Sequence, residues 1–171
     1  MGSVFSRITA IIVMACSASV VQAYDDVTPT EAYAMATTDA NVYLLDVRTE
    51  GEWTWVGHPG ENRLGDGAAL AGKVVNISYK IDHKNEFVIN PSFISDVDEL
   101  FESNPNVELI TMCRSGKRSR DAAAALESAG YTAHNLASGF EGSSDAKGYR
   151  TVNGWKVDGF PYTTSGVGYQ D

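Results

Sequence analysis

The chain has 171 residues, of which 43% are hydrophobic and 20% charged, and its formal net charge is −9. That length suits one domain of roughly 100–200 residues with a short appendage, and the composition is that of a globular chain, which excludes disorder as the default. So acidic a molecule repels polyanions at long range, which argues against nucleic acid and anionic membrane surfaces as partners and means that an anionic substrate would need a local cluster of cations.

Residues 1–23 read as an export signal. Arg7 precedes the apolar run Ile8 to Ala15, and Val21-Gln22-Ala23 offers a cleavage site before Tyr24. The run is too short to span a bilayer. The expected mature chain is therefore 24–171, exported to the periplasm and without a transmembrane segment. Val13-Met14-Ala15-Cys16 is a poorer match to a lipoprotein signal with Cys16 as the lipidated residue, because Met14 fits that pattern badly. Removal of residues 1–23 would leave Cys113 as the single cysteine, with no internal disulfide partner. An odd cysteine is either a reactive thiol or a small buried hydrophobe.

In chain order, Thr28-Pro29-Thr30-Glu31 predicts a helix start: Thr28 caps, Pro29 suits the first helical position, and Glu31 closes a capping box, with Ala32 to Ala36 continuing. Val42 to Leu45 is an apolar strand that ends at Asp46-Val47-Arg48. Residues 49–72 read as irregular, with a helical turn near Glu50 to Trp53. Val74 to Ile77 is a second strand. Pro91-Ser92 opens a helix through Phe101, with Phe93, Ile94, Val97, Leu100 and Phe101 on one face. Leu109 to Met112 is a third strand, Ser119 to Ala129 an Ala-rich helix closed by Gly130, and Tyr131 to Leu136 holds a fourth strand. The remainder is irregular apart from one short helix near Trp155. Such alternation predicts an α/β fold around a mainly parallel sheet, in which ligands sit beyond the carboxyl ends of the strands. Cys113 falls at that place.

The loop Cys113-Arg114-Ser115-Gly116-Lys117-Arg118-Ser119 carries the chemistry. Gly116 permits a backbone turn that residues with a Cβ resist. A loop curled in this way can aim N–H groups and the positive end of the following helix at one point, making an anion cradle that favours a thiolate nucleophile. Arg114, Lys117, Arg118 and Arg120 supply the local cations. The fitting reaction is transfer of a sulfane sulfur: Cys113 takes it from a donor such as thiosulfate, holds it as a persulfide, and passes it to a thiophilic acceptor such as a protein thiol. Neither a metal nor an organic cofactor is required. Asp46 and Arg48, at a strand end, are expected to support the neighbouring loop by an ion pair or hydrogen bonds. His58, His83 and His134 have no metal-ligand spacing.

Several segments resemble the rhodanese-like family. They are the Cys113–Ser119 loop, Asp46-Val47-Arg48 with Glu52-Trp53, Asn76-Ile77-Ser78-Tyr79, Gly139-Phe140-Glu141-Gly142, Gly154-Trp155 and Gly159-Phe160-Pro161, in the family's order across about residues 28–163. The resemblance implies a three-layer α/β domain in which Cys113 carries the persulfide and residues 114–118 cradle it. Residues 55–72 and 143–153 are longer than the minimal domain needs. The alternative within the family is a sulfur carrier that serves a dedicated protein partner with little thiosulfate turnover. A Cys-dependent phosphatase or arsenate reductase fits less well, because the residue six after Cys113 is Ser119 where those loops place an arginine.

Overall fold

The computed structural model describes residues 24–165, so the expected export signal and Cys16 lie outside the described range. The chain begins with β1 (Asp25–Val27), a strand hidden from sequence inspection by its two acids. The predicted capping box starts α1 (Pro29–Thr38): the Thr28 hydroxyl accepts from the Glu31 N–H, and the Glu31 carboxylate accepts from the Thr28 N–H at 2.8 Å. After β2 (Val42–Asp46) comes α2 (Glu50–Val56), a two-turn helix where one turn was expected. A second capping box, Thr49 with Glu52, explains the extra length. Next are β3 (His58–Pro59), a 3-10 turn at Ala68–Leu70, and β4 (Val74–Asn76).

β5 (Lys80–His83) and β6 (Glu86–Ile89) form an unexpected hairpin. Its two-residue turn, Lys84-Asn85, has φ of 52° and 68°, the mirror-image geometry that matches strand twist. α3 (Phe93–Phe101), β7 (Glu108–Met112), α4 (Lys117–Ala129) and β8 (Thr132–Leu136) follow nearly as predicted. The last segments are β9 (Ser143–Ser144), β10 (Arg150–Val152) and β11 (Tyr162–Thr163), which pairs with β3. Around Trp155 the chain makes turns in place of the expected helix, since Gly154 and Gly159, at φ of 103° and 83°, reverse it at both ends.

The central sheet has five strands in the order β1-β8-β7-β2-β4, and each neighbouring pair is parallel. Alternation along the strands sorts the side chains into two cores. Leu45, Leu109 and Cys113 pack toward α3 and α4 with Val97, Ala122, Ala123 and Leu126. Leu44, Ile110 and Met112 pack the other way, with Ala32 and Ala36 of α1, Leu136, Phe140 and Trp155. This is the expected three-layer arrangement. Helix α4 buries Ser119, Ala122, Ala123 and Leu126, and the small residues of that stripe let it lie close to the sheet. It starts two residues before the predicted position. Its N-cap is Gly116 in the left-handed region, without a side-chain cap bond, so no cap residue marked the start. Among the described residues, no helix is long and apolar enough to cross a membrane.

Candidate active site

Cys113 directly follows β7, so the sheet delivers its side chain beyond the carboxyl end of a central strand, on the α4 side. It is 1% exposed. The loop after it is fastened from outside. The Phe140 N–H donates to the Cys113 carbonyl at 2.7 Å, and the Glu141 and Gly142 N–H groups donate to the Arg114 carbonyl at 2.9 and 3.2 Å. With those carbonyls occupied, the N–H groups of residues 114–119 have no backbone acceptor among the described residues; the first bond of the helix runs from the Arg120 N–H to the Gly116 carbonyl at 3.3 Å. Uncommitted donors at a helix N-terminus beside a sulfur atom are the makings of an anion cradle.

Two glycines make the close fit possible. At Gly116, φ is 84°, and a Cβ would lie 1.9 Å from the Ala137 carbonyl oxygen. At Gly139, φ is 65°, and a Cβ would lie 2.6 Å from both the Cys113 carbonyl oxygen and the Ser115 nitrogen. The active loop and the turn after β8 therefore touch backbone to backbone.

The four cations of the loop have different surroundings. Arg114 and Lys117 are exposed. Arg120 is half exposed, its guanidinium 4.0 Å from Asp26. Arg118 is engaged: its two terminal nitrogens donate to the two oxygens of Glu52 at 2.7 and 2.6 Å, and its guanidinium carbon lies 5.8 Å from the centre of the Phe87 ring on the hairpin. Burial opposes charge on both partners, yet the pairing outweighs it. The Glu52 carboxyl is held below its ordinary range and the Arg118 guanidinium above its own. Ser119 lies behind the sulfur, fully buried, its hydroxyl 3.3 Å from Sγ and 2.7 Å from Asn135 Oδ1. Asn135 in turn donates to Asp26 at 2.6 Å.

Asp46 and Arg48 are both fully buried. Arg48 Nε donates to Asp46 at 2.9 and 3.0 Å, and Nη2 donates to Asp46 Oδ2 at 2.5 Å and to the Gly57 carbonyl at 2.7 Å. The guanidinium stands 4.3 Å from the centre of the Phe140 ring, the residue whose N–H holds the Cys113 carbonyl. Asn76 and Ser78 bind the Arg48 carbonyl from β4 and beyond, at 3.0 Å each. The ion pair and the Cys113 loop therefore meet at Phe140.

The structure gathers Cys113, the 114–119 loop, Asp46 and Arg48 at one end of the sheet. It adds residues that sequence reading did not assign to the site: Glu52, Phe87, Asn135 and Asp26. Glu52 carried a signal, as the third residue of a capping box, but its bond to Arg118 spans 66 positions. A cleft of about 540 Å³ opens at the other end of the sheet, where β7 and β8 begin, and its lining includes no cysteine, serine, lysine or histidine.

A parallel α/β sheet with a cysteine heading the loop between a central strand and the next helix is the architecture of an α/β domain that presents one sulfur at the carboxyl end of its sheet. This chain belongs to the rhodanese-like domain family, a family of sulfur transfer, whose model matches residues 28–146. The crystal structure of Rv0390 from M. tuberculosis is similar to it with a TM-score of 0.69 and 35% identity, across 83% of this chain and 99% of that one. The uncharacterized proteins RP600 of Rickettsia prowazekii (strain Madrid E) and RC0915 of Rickettsia conorii (strain ATCC VR-613 / Malish 7) are each 32% identical over 125 residues, 72% of this chain and 89% of their own length.

Proposed function

We propose that the protein is an enzyme that moves a sulfane sulfur from thiosulfate or a related anionic donor to a thiophilic acceptor, with Cys113 as the carrier. The observation behind this reading is the run of N–H groups at 114–119 that no backbone carbonyl among the described residues claims, beside a cysteine at a strand end. The Cys113 thiolate attacks the outer sulfur of the donor. A bond forms between the two sulfurs, the donor's own sulfur–sulfur bond breaks, and its electron pair leaves with sulfite. The persulfide anion rests its charge on the loop N–H groups, which are fixed before the reaction and need no reorganisation. An acceptor thiolate then takes the outer sulfur and regenerates Cys113.

Arg114 and Lys117, being exposed, draw the anionic donor in. Arg118, held by Glu52, contributes a fixed positive charge without swinging. Asp46 and Arg48 act only by holding the loop. The place of action we propose is the periplasm, on the evidence of the apolar run and cleavage pattern of residues 1–23. The test is mass spectrometry of the purified chain after incubation with thiosulfate. A gain of one sulfur on the Cys113 peptide is expected, with none in Cys113→Ser. Uptake elsewhere, or undiminished transfer by Cys113→Ser, would overturn the mechanism.

A further inference from the structure

Behind the sulfur runs a chain of hydrogen bonds that the transfer step does not itself use. Ser119 Oγ stands 3.3 Å from Cys113 Sγ and 2.7 Å from Asn135 Oδ1, and Asn135 Nδ2 stands 2.6 Å from Asp26 Oδ1. Ser119 and Asn135 are fully buried, while the Asp26 side chain is 43% exposed on the edge strand β1. An ionised carboxylate can only accept, and a hydroxyl has one proton to give. Asp26 therefore turns the amide NH₂ of Asn135 toward itself and leaves the amide oxygen for Ser119. That oxygen must be given a proton, and the Ser119 hydroxyl gives it. The lone pairs of Ser119 are then what faces the sulfur, fit to accept the S–H of the thiol.

The three states of Cys113 meet this arrangement differently. As a thiol, every partner is satisfied. As a thiolate, the sulfur needs a donor, and Ser119 can supply its proton only by abandoning Asn135 Oδ1, a buried acceptor that is costly to leave unpaired. As a persulfide, the charge lies mainly on the outer sulfur in the N–H cradle. The inner sulfur then demands no proton, and Ser119 keeps its bond to Asn135.

We propose that Asp26, acting through Asn135 and Ser119, disfavours the free Cys113 thiolate relative to both the thiol and the persulfide, and so biases the loading step toward the sulfur-bearing state. This rests on Cys113 being the sulfur carrier. Asp26 and Asn135 are positioning residues, since neither touches sulfur or donor. The charged groups around the site act on the sulfur through space. They are Arg118 with Glu52, Arg120 facing Asp26, the Asp46–Arg48 pair at the end of β2, and the exposed Arg114 and Lys117. The relay acts only through Ser119, and that separates it from them.

The experiment is a pH titration of thiolate ultraviolet absorbance in the full chain, each protein corrected by the same protein carrying Cys113→Ser. Asp26→Asn lets Asn135 turn its NH₂ toward Ser119, so the hydroxyl can donate to the sulfur. The midpoint should fall by about one pH unit, and above that midpoint the ratio of loaded to free Cys113 at fixed thiosulfate and sulfite should fall about ten-fold. Removing a carboxylate also lowers the midpoint through space, so the same substitution is made in Ser119→Ala, where the shift should shrink to a small remainder. Arg120→Gln removes a charge from the same spot, leaves the Asp26–Asn135 bond in place, and should move the midpoint far less than Asp26→Asn. Equal Asp26→Asn shifts with and without Ser119 would overturn the relay. So would equal and opposite shifts for Asp26→Asn and Arg120→Gln, a comparison that stands even if Ser119→Ala does not fold. Failure of the wild type to take up sulfur would overturn the proposed function, while the titration midpoints would still judge the relay.

Discussion

Gly116→Ala asks whether the loop and the turn after β8 must touch backbone to backbone. The added methyl carbon would stand 1.9 Å from the Ala137 carbonyl oxygen and 2.7 Å from its carbon, where real contacts stay beyond 3.0 Å. The two segments must therefore part by about 1 Å, a movement hard-sphere contact dictates. An alanine held at φ of 84° also carries roughly 1–2 kcal/mol of left-handed strain. The parting loosens the bonds from Phe140, Glu141 and Gly142 to the loop carbonyls, each worth about 1 kcal/mol net. Together these give a loss of about 3–5 kcal/mol, or roughly 6–20 °C in melting temperature for a chain of this size. Because the same loop orders the N–H donors, sulfur uptake on Cys113 should slow by about ten-fold or more in the protein that remains folded. Thermal melting and timed mass spectrometry after thiosulfate read the two effects. A variant that melts with the wild type and loads sulfur at the same rate would refute the packing argument.

Arg114→Ala and Lys117→Ala should raise KM for thiosulfate more than for a neutral persulfide donor, because both side chains are exposed at the loop and act on the donor's charge; equal effects on the two donors would count against that role. Asp46→Asn leaves the fully buried Arg48 without its counter-charge and should cost about 3–5 kcal/mol in chemical denaturation, whereas replacing both residues by apolar ones of similar volume should cost less. A single-variant loss under about 1 kcal/mol would show that the pair does not brace the loop. His58 is stacked on Trp53, with ring centres 3.7 Å apart, and burial pushes its pKa below the ordinary 6.5. Its folded value is depressed, so its contribution is fully present above pH 6.5 and is lost as pH falls through the lower folded value. The urea midpoint, followed by tryptophan fluorescence, should drop as pH falls below about 6.5, and His58→Gln should flatten that drop; an unchanged slope in the variant would remove His58 from the account.

Much of the fold can be read locally because its signals are local. The capping box at Thr28 and Glu31, the apolar strands ending at Asp46 and Met112, and the small buried stripe of α4 each depend on neighbours within a few positions. The hairpin at 80–89 escaped because Lys84-Asn85 is not a strong turn signal, although both residues adopt positive φ. The helix expected near Trp155 failed because the two flanking glycines turn the chain before a helix can propagate.

The site divides along the same line. Its central residue and loop are contiguous, so composition and spacing alone marked Cys113 and the residues up to Ser119. Which cations stay open to a donor, and which are held, is a question of tertiary contact. Glu52 takes Arg118 across 66 positions, and Asp26 reaches Asn135 across 109. Nothing local to either partner announces such a bond, because strand order and helix packing bring the two together. The sequence by itself marked Cys113 as the candidate nucleophile and the contiguous loop after it as the candidate anion cradle. The parallel order of the sheet decided which distant side chains stand behind that sulfur, since hydrogen bonds act over a few ångströms of space whatever the separation along the chain.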